Sequence, residues 1–200
     1  MTELYWDSSS DPYVYPGTRV LKNIPDIRDA EILETFEQRA TALRFNEAMK
    51  AIRNDPLALS TWKKLHRTLF QDVYSWAGEI RTVHLAKGNT VFAIPQHIEA
   101  QAQELFTKFG AEKLQPGDRD ALVDRLAYYF AEMNVLHPFR EGNGRTQKML
   151  FDEITVRFGV EIDWAHIGTG DFLDAIVRAY HSQDYSKIQN IFRKVLRNLP

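Results

Sequence analysis

One helical pattern limits the possible folds of this chain more than any other feature. Over residues 119 to about 135, large apolar side chains recur every three or four positions, which predicts a core helix with a broad buried face. These side chains are Leu122, Leu126, Tyr129, Phe130 and Met133. A second such helix is predicted after a short loop, with Leu150, Ile154 and Phe158 on one face and Gly159 at its end.

The same periodicity predicts further helices along the chain. The first begins after Asp29, carries an apolar stripe of Ile32, Phe36, Ala40 and Leu43, and stops near Pro56. The others run from a cap at Ser60 to Gly78, from Pro95 to Gly110, and over two segments after residue 170. A turn is predicted at residues 115 to 118.

Residues 80 to 94 have a different pattern. Two short β-branched runs flank Lys87-Gly88-Asn89, which predicts a β-hairpin. The predicted fold class is therefore mainly α, with one β-hairpin. Residues 1–25 are rich in Ser, Asp, Pro and Tyr and show no period, which indicates an extended arm held on the surface by Tyr13 and Tyr15. Residues 26–200 are predicted to form a single domain.

Composition excludes several classes of function. The 25 basic and 27 acidic side chains give a formal net charge of −2, so no basic surface is predicted for direct binding of nucleic acid or anionic membrane. The chain has no cysteine, which excludes disulfides and thiolate metal sites. The first residues contain two acids and no apolar run, so a cytoplasmic location is the default prediction. Delivery into a host cell as an effector is the alternative location that the sequence leaves open.

The loop between the two core helices has the composition of a phosphate site. Pro138 disfavours helical backbone at His137, so the first helix should end there with the imidazole at its end. Gly142 and Gly144 permit positive φ before the next helix, which predicts a cradle of backbone N–H groups for an anion. Arg145 lies in the first helical turn, where the helix dipole disfavours a cation, so a negative group should accompany it.

A polyphosphate would satisfy both the cradle and Arg145. Glu141 could then hold a Mg²⁺ ion that bridges phosphate oxygens. His137, with a reference pKa of about 6.5, can accept the proton of an attacking hydroxyl. Taken singly, each residue also has an ordinary interpretation. The glycines could form a tight turn, His137 could cap a helix, and Glu141 could pair with Arg145. Their combination within nine residues favours the site.

The segment His137 to Lys148 resembles the signature of the Fic family, His-x-Phe-x-(Asp/Glu)-Gly-Asn-Gly-Arg-x-x-Arg, at every fixed position but the last. The resemblance implies a Fic-type helical bundle that moves AMP from ATP, with Mg²⁺, onto a Tyr, Thr or Ser hydroxyl of another protein. It implies that His137 is the general base, that Phe139 anchors the loop, and that Glu141 ligates Mg²⁺. It also implies phosphate binding by Gly142, Asn143, Gly144 and Arg145. Lys148 replaces the second arginine and has no bidentate fork, which leaves nucleotide preference open.

The resemblance extends beyond the loop. Residues 74 to 81 are similar to the segment before the family's flap, and residues 11 to 18 to the start of short bacterial Fic toxins. In the family the flap clamps the target's main chain by strand addition, which implies that Lys87, Asn89 and Phe92 lie near a bound target. The other histidines are expected to be structural or exposed.

The family's inhibitory pattern, (Ser/Thr)-x-x-x-Glu-(Gly/Asn), is absent from the sequence. This absence is typical of Fic toxins inhibited in trans by a small antitoxin, whose known targets include the ATPase subunits of DNA gyrase and topoisomerase IV. The sequence leaves two alternative functions open. One is a Fic enzyme with a different nucleotide or phospho-donor, and the other is a catalytically silent Fic fold that acts as a binding module.

Overall fold

A computed structural model describes residues 4–5, 11–113 and 118–199 of the chain. The turn predicted at 115 to 118 lies, apart from Asp118, outside these residues. The helices in the described part are α1 (Ala30–Ile52), α2 (Leu59–Phe70), α3 (Ile98–Ala111), α4 (Arg119–Leu136), α5 (Asn143–Val156), α6 (Thr169–Ser182) and α7 (Ser186–Val195). The strands are β1 (Leu4–Tyr5), β2 (Leu85–Lys87), β3 (Thr90–Val91), β4 (Val160–Ile162) and β5 (Leu196–Asn198).

Helix α4 is the centre of a helical bundle. It packs against α3, α5, α6 and α7, so side chains on several of its faces are buried. A helix that is apolar around much of its circumference belongs in a core, as the pattern over residues 119 to 135 predicts. The mainly α fold class is confirmed. None of the described helices combines the length and the apolar character that crossing a lipid bilayer requires.

The predicted stripe of α1 is wrong in part. Leu33, Ala40 and Ala48 are buried, whereas Ile32 and Leu43 are exposed. Helix α1 packs mainly on α2, at the edge of the bundle, so only a narrow face is covered and apolar residues remain outside it.

Helix α2 also differs from the prediction at both ends. Its N-cap is Ala58, so Ser60 lies inside the first turn and does not cap it. It ends at Phe70, well before Gly78, and the Val73 carbonyl accepts a hydrogen bond from the Ile24 N–H of the arm. This tertiary contact uses a carbonyl that a longer helix would need. The chain then turns through Gly78 with φ +81°.

Helix α5 ends at Val156, so Phe158 lies beyond the helix and is partly exposed instead of in the core. Gly159 follows with φ +72°, as expected of a terminating glycine. The chain continues into β4, which pairs antiparallel with β5 near the C-terminus. These short strands had no signal in the sequence pattern.

The hairpin is shorter than residues 80 to 94. Strands β2 and β3 pair across a two-residue turn, Gly88-Asn89, with φ +58° at Gly88. Strand β1 pairs with the other edge of β2, so β2 is the central strand and β3 is an edge strand of this sheet.

The described part of the arm folds back on itself. The Tyr15 N–H donates to the Val20 carbonyl, and both side chains join the main core. The remaining arm residues, 1–3 and 6–10, lie outside the described part of the chain.

Candidate active site

The end of α4 fixes the orientation of His137. This residue is the C-cap of α4, in the left-handed region with φ 43°, as Pro138 beyond it requires the helix to stop. Its Nδ1 lies 3.2 Å from the Asn134 carbonyl oxygen, which can only accept a hydrogen bond. Nδ1 therefore carries the proton of the neutral ring, and Nε2 keeps the lone pair. The ring stacks on Phe92 at a centroid distance of 3.7 Å.

Phe139 and Asn143 fix the shape of the loop. The Phe139 ring is fully buried, with Trp62 at its edge and the His66 ring stacked on it. The Asn143 side chain is buried and bonds both backbone groups of Phe139, accepting from its N–H at 2.8 Å and donating to its carbonyl at 2.7 Å. The Asn143 amide thus shapes the loop, and its backbone N–H is the group left as a candidate for phosphate.

The two glycines of the motif differ in conformation. Gly142 has φ +81°, and a Cβ at this position would lie 2.3 Å from the Phe70 ring, so only glycine fits. Gly144 is already inside the first turn of α5 and does not have positive φ, contrary to the expectation for both glycines. A Cβ on Gly144 would meet no atom within 4 Å, so this position is open toward the solvent. The first N–H groups of α5 have no partner within the helix by geometry.

Arg145 has the negative partner that its position in α5 requires, and this partner is a protein side chain. The guanidinium pairs with Glu37 of α1 and lies 4.8 Å above the Phe70 ring centre. Glu141 is farther away, at 3.8 Å, so the simple Glu141–Arg145 pair is the weaker of the two contacts. Sequence reasoning missed Glu37, because nothing in the sequence around residue 37 indicates a contact with residue 145.

Glu141 is the only carboxylate among the described residues around the cavity at this loop. Its Oε1 accepts the Gly142 N–H at 2.8 Å. The described residues contain no cluster of three or more His, Cys, Asp or Glu side chains that could hold a metal alone. Mg²⁺ is commonly held by one or two carboxylates together with substrate phosphates and water. A single carboxylate beside the N-terminus of α5 fits this mode of binding.

The cavity has a volume of about 460 Å³, within the range of about 300–1,000 Å³ for small-molecule sites. His137, Glu141 and Arg145 line one side of it. Helix α6 and the segment before it supply an apolar wall that includes Ile167, Leu173, Ile176 and Val177. A ligand with a charged end and a flat apolar end would match these two sides.

Lys148 lies at the border between this cavity and a second groove. Its ammonium is 5.2 Å from the Trp164 ring centre, on the side of the groove. The Trp164 indole N–H in turn donates to Asp152 at 2.6 Å. Burial, partly offset by this hydrogen bond, raises the pKa of Asp152 to about 6. The flexible lysine stem lets the ammonium reach either side of the border.

The hairpin places its predicted residues in different surroundings. Lys87 borders the cavity, Asn89 is exposed in the turn, and Phe92 is buried against the His137 ring. The backbone of Val91, on the edge strand β3, bonds the Tyr180 hydroxyl, which accepts from its N–H and donates to its carbonyl.

Arg81 joins the hairpin to the loop that follows α4. Its buried guanidinium donates to the carbonyls of Val83 and Ala93 beside the strands, and to that of His137 at 2.7 Å. A single side chain thus holds the hairpin and the histidine in a fixed relation.

Asp11 anchors the loop from the arm. One of its carboxylate oxygens accepts from Arg140 Nε at 3.1 Å and from Nη2 at 2.9 Å. Both side chains are almost fully buried, with 1% of Asp11 and 8% of Arg140 exposed. The arm is therefore attached to the loop by a buried ion pair in addition to its tyrosines.

His66 is a structural histidine, as expected. Its ring lies between Phe70 and Phe139; Nδ1 accepts the Gly78 N–H at 2.9 Å, and Nε2 lies 2.9 Å from the Glu141 carbonyl. Burial, followed by the charge of Arg145, lowers the pKa of His66 to about 3. The neutral ring therefore donates from Nε2 and links α2 to the loop.

We expect His66 to make stability depend on pH. In the unfolded chain its pKa is near 6.5, so the unfolded state gains a proton as pH falls below that value, while the folded state does not until about pH 3. Between pH 7 and pH 5, the free energy of unfolding should fall by about 2 kcal/mol from this group. Urea denaturation at both pH values measures the effect. His66→Gln should lose this pH-dependent part, and Gln at exposed His97 should keep it; an equal pH response in both variants would contradict the assignment.

Comparison with known proteins identifies the family of the chain. The model of the Fic/DOC family matches residues 56–155. The chain is 36% identical to a probable protein adenylyltransferase, y4lH, of Sinorhizobium fredii, over 96% of this chain and 98% of the relative. It is 34% identical to a probable protein adenylyltransferase named Fic of Escherichia coli, over 93% of this chain and 92% of the relative.

A solved structure shares the fold. The BepC protein of Bartonella tribocorum, crystallised with bound AMPPNP, superposes with a TM-score of 0.81 at 20% sequence identity, over 94% of this chain and 97% of BepC. The segment that the family model matches includes α2, the hairpin, α3, α4, the loop and most of α5, so the signature lies inside it. The chain belongs to the Fic/DOC family.

Proposed function

We propose that this chain transfers AMP from ATP to a hydroxyl group of another protein. The observation that carries the proposal is the position of His137, Glu141 and Arg145 around one cavity at the N-terminus of α5. The relatives named protein adenylyltransferases support the same reaction.

The residues have distinct roles in this reaction. The target hydroxyl oxygen attacks the α-phosphorus, the bond from that phosphorus to the bridging oxygen breaks, and pyrophosphate leaves. His137 Nε2 takes the hydroxyl proton, because Nδ1 is held by the Asn134 carbonyl. The α5 N-terminus and Arg145 bind the α- and β/γ-phosphates, and Lys148 reaches the γ end. Mg²⁺ held by Glu141 would neutralise charge on the phosphates.

The hairpin is the proposed clamp for the target. Strand β3 is the edge strand that borders the cavity, through Thr90, so its outer edge is the one we propose for an added strand. Lys87, Asn89 and Phe92 are the side chains we place near a bound segment that presents a Tyr, Thr or Ser hydroxyl. Since the Tyr180 hydroxyl bonds the Val91 backbone, an added strand there would replace these two bonds.

A small antitoxin is the proposed regulator, as in the family's toxins inhibited in trans. The groove beside the cavity supports this proposal, since it has apolar walls from Ala42, Phe45, Leu69 and Met149 and includes Arg145 and Lys148. An apolar helix with one carboxylate would match it. By analogy with that subgroup, the targets are the ATPase subunits of DNA gyrase and topoisomerase IV in the bacterial cytoplasm.

Transfer of label from ATP tests the proposed reaction. In bacterial lysate, α-³²P-ATP should label a protein band and γ-³²P-ATP should not, because the γ-phosphate leaves in pyrophosphate. EDTA should abolish the label. Label from the γ position would indicate a kinase, and no label despite nucleotide binding would indicate a silent binding module.

Lys148 supports one second candidate, transfer from a different donor. Lysine binds phosphate as a point charge, whereas arginine binds it through a planar fork of N–H groups. Lys148 should therefore fix the orientation of the γ-phosphate less strictly than an arginine would. Parallel reactions with α-labelled GTP and UTP decide this point. Stronger labelling by either one than by ATP would favour the second candidate.

A further inference from the structure

Glu37 is a carboxylate that the proposed reaction does not use. It lies on α1, 108 residues before Arg145 in sequence, and only 12% of its side chain is exposed. One oxygen accepts from the Tyr74 hydroxyl and the other from the Arg145 guanidinium. Burying a carboxylate costs free energy unless it is paired and hydrogen-bonded, and here both conditions are met.

Tyr74 remains a hydrogen-bond donor to this carboxylate. Burial, together with the negative charge of Glu37, raises the pKa of Tyr74 above its usual range. The tyrosine is therefore protonated at neutral pH and holds the Glu37 carboxylate from the side opposite Arg145.

Glu37 lies behind Arg145 with respect to the nucleotide cavity. Arg145 lines the cavity, whereas Glu37 is not among the described residues around it. The Arg145 guanidinium packs on the face of the Phe70 ring, and Glu141 Oε1 lies 3.8 Å from Arg145 Nη2. A free arginine side chain has many rotamers, and ordering it on binding an anion costs free energy. These contacts order Arg145 before any ligand arrives.

We propose that Glu37, held by Tyr74, is a positioning residue that presets Arg145 for the terminal phosphates of the nucleotide. The inference rests on the proposed function, because it requires Arg145 to bind phosphate. It predicts that Glu37 affects binding of a nucleotide triphosphate and leaves binding of a monophosphate unchanged, since AMP does not reach the β/γ end.

Calorimetry with two probes tests the inference, using AMP and the β,γ-imido analogue of ATP with Mg²⁺. Glu37→Gln should weaken binding of the analogue about tenfold, the upper range for ordering one long side chain, and change AMP binding less than about twofold. Tyr74→Phe, which keeps the Glu37 charge, should have a smaller effect of the same kind. Glu34→Gln, at an exposed position on the same helix, is the matched control and should bind both probes like the wild type.

Arg145→Ala separates the inference from the proposed function. If Glu37 acts through Arg145, Glu37→Gln should weaken binding of the analogue no further in the Arg145→Ala background. Tighter binding by Glu37→Gln would mean that Glu37 competes with phosphate, and equal loss for both probes would mean a general disturbance. Either result overturns the inference. If Arg145→Ala itself keeps the affinity for the analogue, the proposed phosphate role of Arg145 fails first.

Discussion

The His137→Ala variant is expected to transfer AMP about 10²–10⁴-fold more slowly than the wild type, the usual contribution of a general base. In the structure, Nδ1 is oriented by the Asn134 carbonyl and the ring by stacking on Phe92, so Nε2 is presented as the acceptor. Among the described residues around the cavity, Glu141 is the only carboxylate and hence the only other candidate for a general base. In the proposed reaction this carboxylate holds Mg²⁺ instead. The rate of label transfer from α-³²P-ATP to the target measures the effect.

The His137 ring also packs on the hairpin, so His137→Ala could lower the rate by disturbing the structure. A binding measurement separates that effect from loss of the general base. His137→Ala should bind the imido analogue of ATP within about threefold of the wild type, since the proposed base acts on the target hydroxyl and not on the nucleotide. The exposed His97, changed to Ala, provides a control that should retain full activity. A His137→Ala variant that binds the nucleotide and still transfers AMP at more than a tenth of the normal rate would rule out His137 as the base.

The centre of the site could be predicted from the sequence because its determinants are local. Pro138 requires α4 to end at His137, and Gly142, four residues later, permits the turn into α5, so residues of one short segment determine the backbone there. The long apolar pattern of α4 has the same local character. Family resemblance then adds the chemistry, which local rules do not contain.

The side chains that hold the site residues in place could not be predicted, because their contacts join segments that are distant in sequence. Glu37 and Asp11 resemble ordinary surface carboxylates in sequence, yet both are buried against arginines of the motif segment. The role of the Asn143 side chain was also missed, because the motif alone does not tell whether its amide faces the ligand or the loop. The prediction of the buried stripe on α1 was wrong in part for a related reason. Periodicity shows that a helix has an apolar face, but it does not show which part of that face another helix covers.

Removing the Asp11 carboxylate is expected to destabilise the fold by about 3–5 kcal/mol, as for other broken buried ion pairs. Asp11→Ala would leave the Arg140 guanidinium buried without the carboxylate that accepts two of its N–H groups. Loss of one partner costs more than the pair contributes, because the remaining charge stays out of water. Urea denaturation at pH 7 gives the change in the free energy of unfolding.

Two comparisons make this expectation specific to burial. Asp174 of α6 pairs with Lys187 on the surface, where 67% of Asp174 and 35% of Lys187 are exposed, so Asp174→Ala should cost no more than about 1 kcal/mol. The double change Asp11→Leu with Arg140→Met removes both charges and should recover much of the lost stability, since an apolar pair avoids the desolvation penalty. If Asp11→Ala costs as little as Asp174→Ala, the arm does not hold the loop after α4 through this pair. If the double variant is as unstable as Asp11→Ala, the loss comes from packing of the arm and not from removal of the carboxylate that pairs with Arg140.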